Sequence, residues 1–245
     1  PLVIICVKDS EKLKEIIDQV NKMRIDYIRV DELIIGKNTE KFLHNIELLE
    51  DEKSKSIYIQ LIESRIQGNM KNFNLFEKDQ YFAIPEFRMD DIDENFVDMG
   101  GFVGDTLEQF LYVRMASFNK YFVFEPDTKN FNALCSRVER LKAEWGLGDE
   151  KIVLINAGVG ENTELSYFKE LGEKSLGSIF SSLEGNLKRK IWAIDDYFKD
   201  LPVHFLKADI ESYEISMLRG GKNTIRKYKP KMAISIYHNS TDMWY

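Results

Sequence analysis

Apolar positions change their spacing along this chain, and the spacing predicts its elements. Residues 2–7 (LVIICV) are an unbroken apolar run rich in β-branched side chains, the pattern of a strand buried in a parallel sheet. Asp9 or Ser10 stands where a helix N-cap would. Leu13, Ile16, Ile17, Val20 and Met23 then recur at helical spacing. Tyr27 to Val30 reads as a second strand, so residues 1–38 hold one small βαβ piece. Residues 40–66 are charged and lack Gly and Pro. Their apolar positions Phe42, Ile46, Leu49, Ile57 and Leu61 predict one or two amphipathic helices. Residues 67–90 mix Gly, Asn, Pro and aromatics and read as a connector, which places the main domain boundary near 90.

Beyond that boundary strands and helices alternate. Phe96 to Met99 predicts a strand, followed by a glycine turn and a helix carrying Leu107, Phe110, Leu111, Met115 and Phe118. Tyr121 to Phe124 is a strand, and Phe131, Leu134, Cys135, Val138 and Leu141 mark a helix. Ile152 to Ile155 and Val203 to Leu206 are strands, 213–227 is helical, and Met232 to Tyr237 is a last strand. The alternation predicts an α/β domain over 91–245, with a mostly parallel sheet covered by helices on both faces.

Composition narrows the function. The chain has 245 residues, 34 Lys and Arg against 41 Asp and Glu, and a formal charge of −7. That excess argues against a nucleic-acid partner, whose binding rests on a basic footprint. No apolar run approaches the roughly 18 residues a membrane span needs. Cys6 and Cys135 make neither a disulfide framework nor a metal pattern. The expectation is a reduced, cytoplasmic protein, and Pro1 in place of Met predicts a piece of a longer chain.

Five strand ends carry candidate chemistry. Asp98-Met99-Gly100-Gly101-Phe102-Val103-Gly104-Asp105 lies between a strand and a helix. Glycines there admit a ligand close to the backbone, and a helix start offers N–H groups. The glycines fall at 100, 101 and 104, not in G-x-G-x-x-G order, and acids on both sides suit a cationic ligand better than a pyrophosphate. Glu125 ends the next strand, where doubly wound folds place an acid on a ribose diol. Asn156 offers a donor and an acceptor for an adenine edge. Asp209 and Glu211 follow an apolar strand, and His238 follows the last one. Asp195-Asp196 reads as a helix cap.

Together these segments resemble the FkbM family of S-adenosylmethionine-dependent methyltransferases. The resemblance rests on FVDMGGFVGDT (96–106), FEPDTKNF (124–131), INAGVG (155–160), AIDDYF (193–198), LKADIESYE (206–214), LRGGKNTIRKYKP (218–230) and SIYH (235–238), in the family's order. Residues 47–68 and Gln80-Tyr81-Phe82 look like the region upstream in bacterial members, and residues 1–35 look like the degenerate Rossmann-like piece some members carry in front. The resemblance implies a class I methyltransferase fold, S-adenosyl-L-methionine as cofactor, and methyl transfer to a hydroxyl of a sugar, glycan or similar natural product. It implies that Asp98 and Gly100 line the methionine part of the cofactor. Gly101 and Gly104 would shape the turn, Glu125 would hold the ribose hydroxyls, and Asn156 would lie near the adenine. Asp209 and Glu211 would face the reacting groups. His238 is expected as the general base, since an unperturbed imidazole titrates near neutral pH, roughly 6.5.

Two features depart from the family. Ser212 stands where D-x-E-G has glycine, and a positive φ there would strain a serine. The chain also ends at Tyr245, before the β-hairpin that usually completes the sheet. A nicotinamide-dependent oxidoreductase or epimerase is the alternative, disfavoured by the glycine spacing, by Asp98 and by the lack of a Tyr-x-x-x-Lys pair; a non-catalytic nucleotide-binding module is another. Asp209 and Glu211 could ligate a metal, but no third clustered ligand stands out and no metal is expected. The small apolar piece at 1–35 needs a covering surface, which residues 40–66, upstream sequence or a second copy of the chain could supply, and a homodimer is slightly favoured over a monomer.

Overall fold

The computed structural model describes residues 2–7, 10–68, 77–88, 92–169, 179–181, 187–238 and 240–244. Pro1 and the candidate cap Asp9 lie outside them. The chain divides into two compact units, Pro1–Glu77 with Asn239–Tyr245, and Lys78–His238.

In the first unit β1 (Leu2–Ile5) and β2 (Asp26–Arg29) pair in parallel around α1 (Ser10–Lys22). They are followed by α2 (Val30–Lys37), α3 (Thr39–Leu48) and α4 (Glu52–Gln67). Asp51 caps α4 by accepting the Ser54 amide at 2.8 Å, and Gly68 ends it at φ +66°. Ile35, Phe42, Tyr58 and Met243 form the unit's buried cluster. The expected two-sided burial of the first strand is not met: Leu2 is 65% and Ile4 50% exposed, while Ile5 is buried.

The second unit runs β3 (Asn95–Met99), α5 (Asp105–Arg114), β4 (Lys120–Phe124), α6 (Thr128–Trp145) and β5 (Ile152–Ile155). Then come the short strands β6 (Gly158–Gly160), β7 (Glu164–Lys169), β8 (Ile179–Ser181) and β9 (Leu187–Ala193). The unit finishes with α7 (Ile194–Tyr197), β10 (Phe205–Ala208), α8 (Glu214–Gly220), α9 (Lys222–Tyr228) and β11 (Lys231–Ile234). The main sheet has the order β11-β10-β3-β4-β5 and is parallel throughout. The chain passes from β3 to β4 on one side, while β10 pairs on the other. That reversal opens a crevice at the carboxyl ends of β3 and β10, where such folds bind ligands.

Alternation across β3 explains its apolar run. Phe96 packs on one face with Phe82, Phe110, Tyr121 and Phe205. Val97 and Met99 pack on the other with Phe122, Phe124, Phe198 and Leu206. Both faces are covered, so both phases of the period-2 pattern are apolar. The exception is Asp98, on the face of Phe96. In register with it on the neighbouring strand is Lys207.

Several boundaries differ from the sequence reading for local reasons. Phe82 is fully buried in the core of the second unit and Phe87 packs against Phe205, so this unit reaches upstream of 90. α5 stops at Arg114 because Met115 and Ala116 turn left-handed. The helical stretch 213–227 breaks in two at Gly220-Gly221. The last two strands sit at 205–208 and 231–234. The second sheet, order β6-β9-β7-β8, was not foreseen. Asp195 does not cap its own helix; it accepts the amides of Asn223 (3.0 Å) and Thr224 (2.7 Å) in the first turn of α9.

Candidate active site

A cavity of about 260 Å³ opens at the carboxyl ends of β3, β4 and β10. Its wall includes Tyr81, Gly100, Phe102, Asp105, Glu125, Asp127, Ala157, Lys207, Asp209 and Glu211.

The glycine turn is built by tight packing. Gly100 has φ +84°, and a Cβ there would lie 2.0 Å from the carbonyl oxygen of Asp209. The end of β10 therefore crosses directly over this glycine, tied by Asp209 N–H to Met99 carbonyl at 3.0 Å. At Gly101 a Cβ would lie 2.1 Å from Val123. The amides of Gly100 and Gly101 both donate to the Phe124 carbonyl, and that of Gly104 to the Gly101 carbonyl. These three amides are committed within the protein, so the glycines shape the cavity, and Asp105 and Thr106 in the first turn of α5 line it. Gly100 reaches the wall; Gly101 and Gly104 lie behind it.

Glu125 is where the strand-end argument expects an acid. Its carboxylate accepts the amides of Phe102 and Asp127, each at 2.9 Å. Burial raises its pKa from 4.5 to about 7, against the opposing pull of those two amides. Each carboxylate oxygen can accept a second hydrogen bond, as a vicinal diol would require.

Asp98 is fully buried and does not line the cavity. Lys207 Nζ pairs with its Oδ1 at 2.8 Å and the Tyr121 hydroxyl donates to its Oδ2 at 2.7 Å. Burial pushes this carboxyl up and the Lys207 ammonium pulls it back. Lys207 also donates to the Gly100 carbonyl at 2.7 Å, so the pair fastens the turn from beneath. Asn156 does not line the cavity either. Its amide donates to the Glu125 carbonyl at 2.8 Å and ties the ends of β4 and β5 together.

The other acids gather around β10. Asp209 accepts the Tyr81 hydroxyl on Oδ2 at 2.8 Å and the Tyr237 hydroxyl on Oδ1 at 2.9 Å. Burial and the adjacent Asp209 charge push both phenols well above their ordinary value. Glu211 and Ser212 have φ of +53° and +79°, so the position where the family carries glycine is left-handed in this chain. His238 stands behind the cavity wall. Its Nε2 is 3.5 Å from Asp209 Oδ1 and 3.4 Å from Glu211 Oε2, and its Nδ1 is 3.2 Å from Glu214 Oε1. Burial raises the Glu214 carboxyl. Asp209, Glu214 and His238 bring donor atoms within 4.8 Å of one another, supplying the third clustered donor that the sequence spacing did not show.

The cavity thus carries five acids and one lysine, and the lysine is neutralised by Asp98. Such a wall suits a ligand bearing positive charge. Sequence reasoning brought Glu125, Asp209, Glu211 and His238 to one crevice and missed Tyr81, Tyr237 and Glu214 as participants. Tyr237 adjoins His238, and Glu214 opens a helix three residues after Glu211; both were visible as neighbours, without a sign of what they touch. His204 is remote from the site: its Nδ1 accepts the Asn95 amide at 2.8 Å, at the amino end of β10.

Comparison with known proteins gives two likenesses. The profile of the methyltransferase FkbM domain matches residues 91–245. The crystal structure of methyltransferase FkbM from Methylobacillus flagellatus KT matches with a TM-score of 0.71 at 21% identity, over 99% of this chain and 65% of that one. At that identity the likeness is one of fold, and this chain spans about two thirds of that protein's length. No curated protein sequence matches the chain. Among the described residues no helix is long and apolar enough to cross a membrane.

Proposed function

From the premise that the chain belongs to the FkbM methyltransferase family, we propose that it is an S-adenosyl-L-methionine-dependent O-methyltransferase acting on a hydroxyl of a sugar, glycan or similar small molecule. The observation that carries this reading is the acid wall at the carboxyl ends of β3, β4 and β10, with Glu125 and Asp209 on either side of the central strand. When bound, the cofactor supplies a methyl group on a cationic sulfur.

The chain's residues supply the rest. Glu125 accepts the two hydroxyls of a ribose, and the acids of the wall favour the ligand's positive charge. Gly100 keeps the end of β10 close against the turn. Asp209 and Glu211 orient the acceptor hydroxyl. On methyl transfer to it, that hydroxyl oxygen would give up its proton. The hydroxyl proton passes by way of Asp209 to Nε2 of His238, 3.5 Å from Oδ1. Fixing an acceptor in line with a methyl group removes much of the entropic barrier, and a nearby base takes the proton as the bond forms.

Calorimetry with S-adenosylhomocysteine and with NAD separates this reading from a nicotinamide enzyme. Binding of the first and not the second is expected, followed by methyl transfer to a member of a sugar panel. Binding of NAD alone would overturn the proposal.

A further inference from the structure

His238 has three carboxylates against its two ring nitrogens, and they are not equivalent. On the Nδ1 side Glu214, from the first turn of α8, stands at 3.2 Å with its side chain 4% exposed. The Ile210 amide donates to the same Oε1 at 2.9 Å and fixes it. On the Nε2 side stand Asp209, 23% exposed, from the end of β10, and Glu211, 51% exposed, from the next turn. Both Asp209 oxygens already accept phenol hydroxyls, from Tyr81 and Tyr237. The Tyr237 ring lies 4.0 Å from the imidazole, centroid to centroid.

Position decides which carboxylate governs the ring. A half-exposed charge is screened by solvent and salt, whereas a buried one acts through a medium of low polarisability. Glu214 is the nearest of the three and the most buried, so it attracts the ring proton most strongly. The two phenol bonds spend part of the pull that Asp209 would exert. A cation bridging Asp209, Glu214 and His238 would have to compete with both phenols for Asp209.

We propose that Glu214 is a positioning residue: it keeps the proton of neutral His238 on Nδ1 and thereby turns the lone pair of Nε2 toward the two acids of the cavity wall. The inference rests on the reading of His238 as the proton's destination. The proton released by the acceptor forms its N–H bond at Nε2, and Glu214 balances the charge of the resulting imidazolium. In the opposite tautomer Nε2 already carries a proton and can accept none. The neighbour of a histidine's other nitrogen sets this choice.

The test is the ¹⁵N chemical shifts of the histidine rings in the full chain, held at a pH where His238 is neutral. The chain has 3 histidines. His204 serves as a reference of opposite sense, because its Nδ1 accepts the Asn95 amide and its proton must sit on Nε2. His238→Asn identifies the signals of His238. The expected result is a protonated Nδ1 and a bare Nε2 for His238, a signature lost in Glu214→Gln and restored in part by Glu214→Asp. A proton on Nε2 in the unmodified protein would overturn the proposal without recourse to any variant. The same holds for an unchanged signature in Glu214→Gln. Tight Mn²⁺ binding that Glu214→Gln abolishes would also overturn it, making Glu214 a cation ligand. The tautomer is read without cofactor or acceptor, so a failure to bind S-adenosylhomocysteine would count against the methyltransferase reading alone.

Discussion

Glu125 and Asp209 flank the central strand of one cavity and are held by different kinds of partner. Glu125 is gripped chiefly by backbone amides, those of Phe102 and Asp127, with the Asn130 side chain as a lesser donor. Asp209 is gripped by side chains, the hydroxyls of Tyr81 and Tyr237, and faces the imidazole of His238. Backbone donors come with the turn and do not depend on which residue carries them. Side-chain donors exist only if distant segments arrive with the right residues. The first arrangement suits a ligand common to many enzymes of one fold. The second suits chemistry that differs between them.

The proposed division of labour can be broken most directly at Asp209. Asp209→Ala should lower kcat by about 10²–10⁴, the range for loss of acid–base function, while calorimetric affinity for S-adenosylhomocysteine stays within a few-fold. A variant with normal turnover would end the distinction between the two sides. Next in size is the glycine on which both sides lean. Gly100→Ala should destabilise the protein by roughly 2–5 kcal/mol in denaturant unfolding, combining a left-handed alanine with overpacking against the Asp209 carbonyl. Unfolding at the wild-type midpoint would show that β10 can move aside.

Smaller effects are expected at Glu125. Glu125→Ala should weaken S-adenosylhomocysteine binding by about 1.5–3 kcal/mol, the range for hydrogen bonds to a charged group, with kcat at saturating cofactor little changed. The pKa of about 7 adds a pH signature. Ribose hydroxyls favour the ionised carboxylate, so affinity should rise with pH up to about 7 and level off above it. Each unit by which the ligand lowers that pKa is worth about tenfold. Glu125→Gln should flatten the profile measured by calorimetry. For stability the sign is opposite. The native carboxyl holds its proton to a higher pH than the unfolded one, so Glu125 contributes most below about 4.5 and its contribution is lost as pH rises through about 7.

The smallest effect belongs to Ser212, at φ +79° on the Asp209 side. Relieving a left-handed serine gains about 1–2 kcal/mol and the added backbone entropy of glycine returns about 0.5–1. Ser212→Gly should therefore stabilise by up to about 1.5 kcal/mol in thermal unfolding and leave kcat nearly unchanged. A destabilised variant would mean that the serine side chain, not the backbone, holds this turn.

The parallel sheet was legible because its signal is local. Tyr121–Phe124 and Ile152–Ile155 are apolar in both phases, and Phe96–Met99 departs only at Asp98, as expected of strands covered on two faces. The positions of Glu125, Asp209, Glu211 and His238 followed, since each stands just past a strand and strand ends share one edge of such a sheet. The positive φ at Ser212 was foreshadowed only by the resemblance, which places glycine there; the serine itself demands no such backbone.

What stayed hidden depends on pairs far apart in the chain. Asp98 read as a cavity acid until register set it against Lys207, 109 positions away, and closed it beneath the turn. Asn156 read as an adenine contact until β5 lay beside β4 and gave its amide the Glu125 carbonyl. Tyr81 comes from a turn 128 residues before Asp209, and nothing near either residue announces the bond between them. Local sequence determines which residues reach a strand end, because alternation and turn geometry act over a few residues. Which of those residues face the cavity and which are consumed by one another is decided by strand register and side-chain reach, and these exist only in the assembled fold.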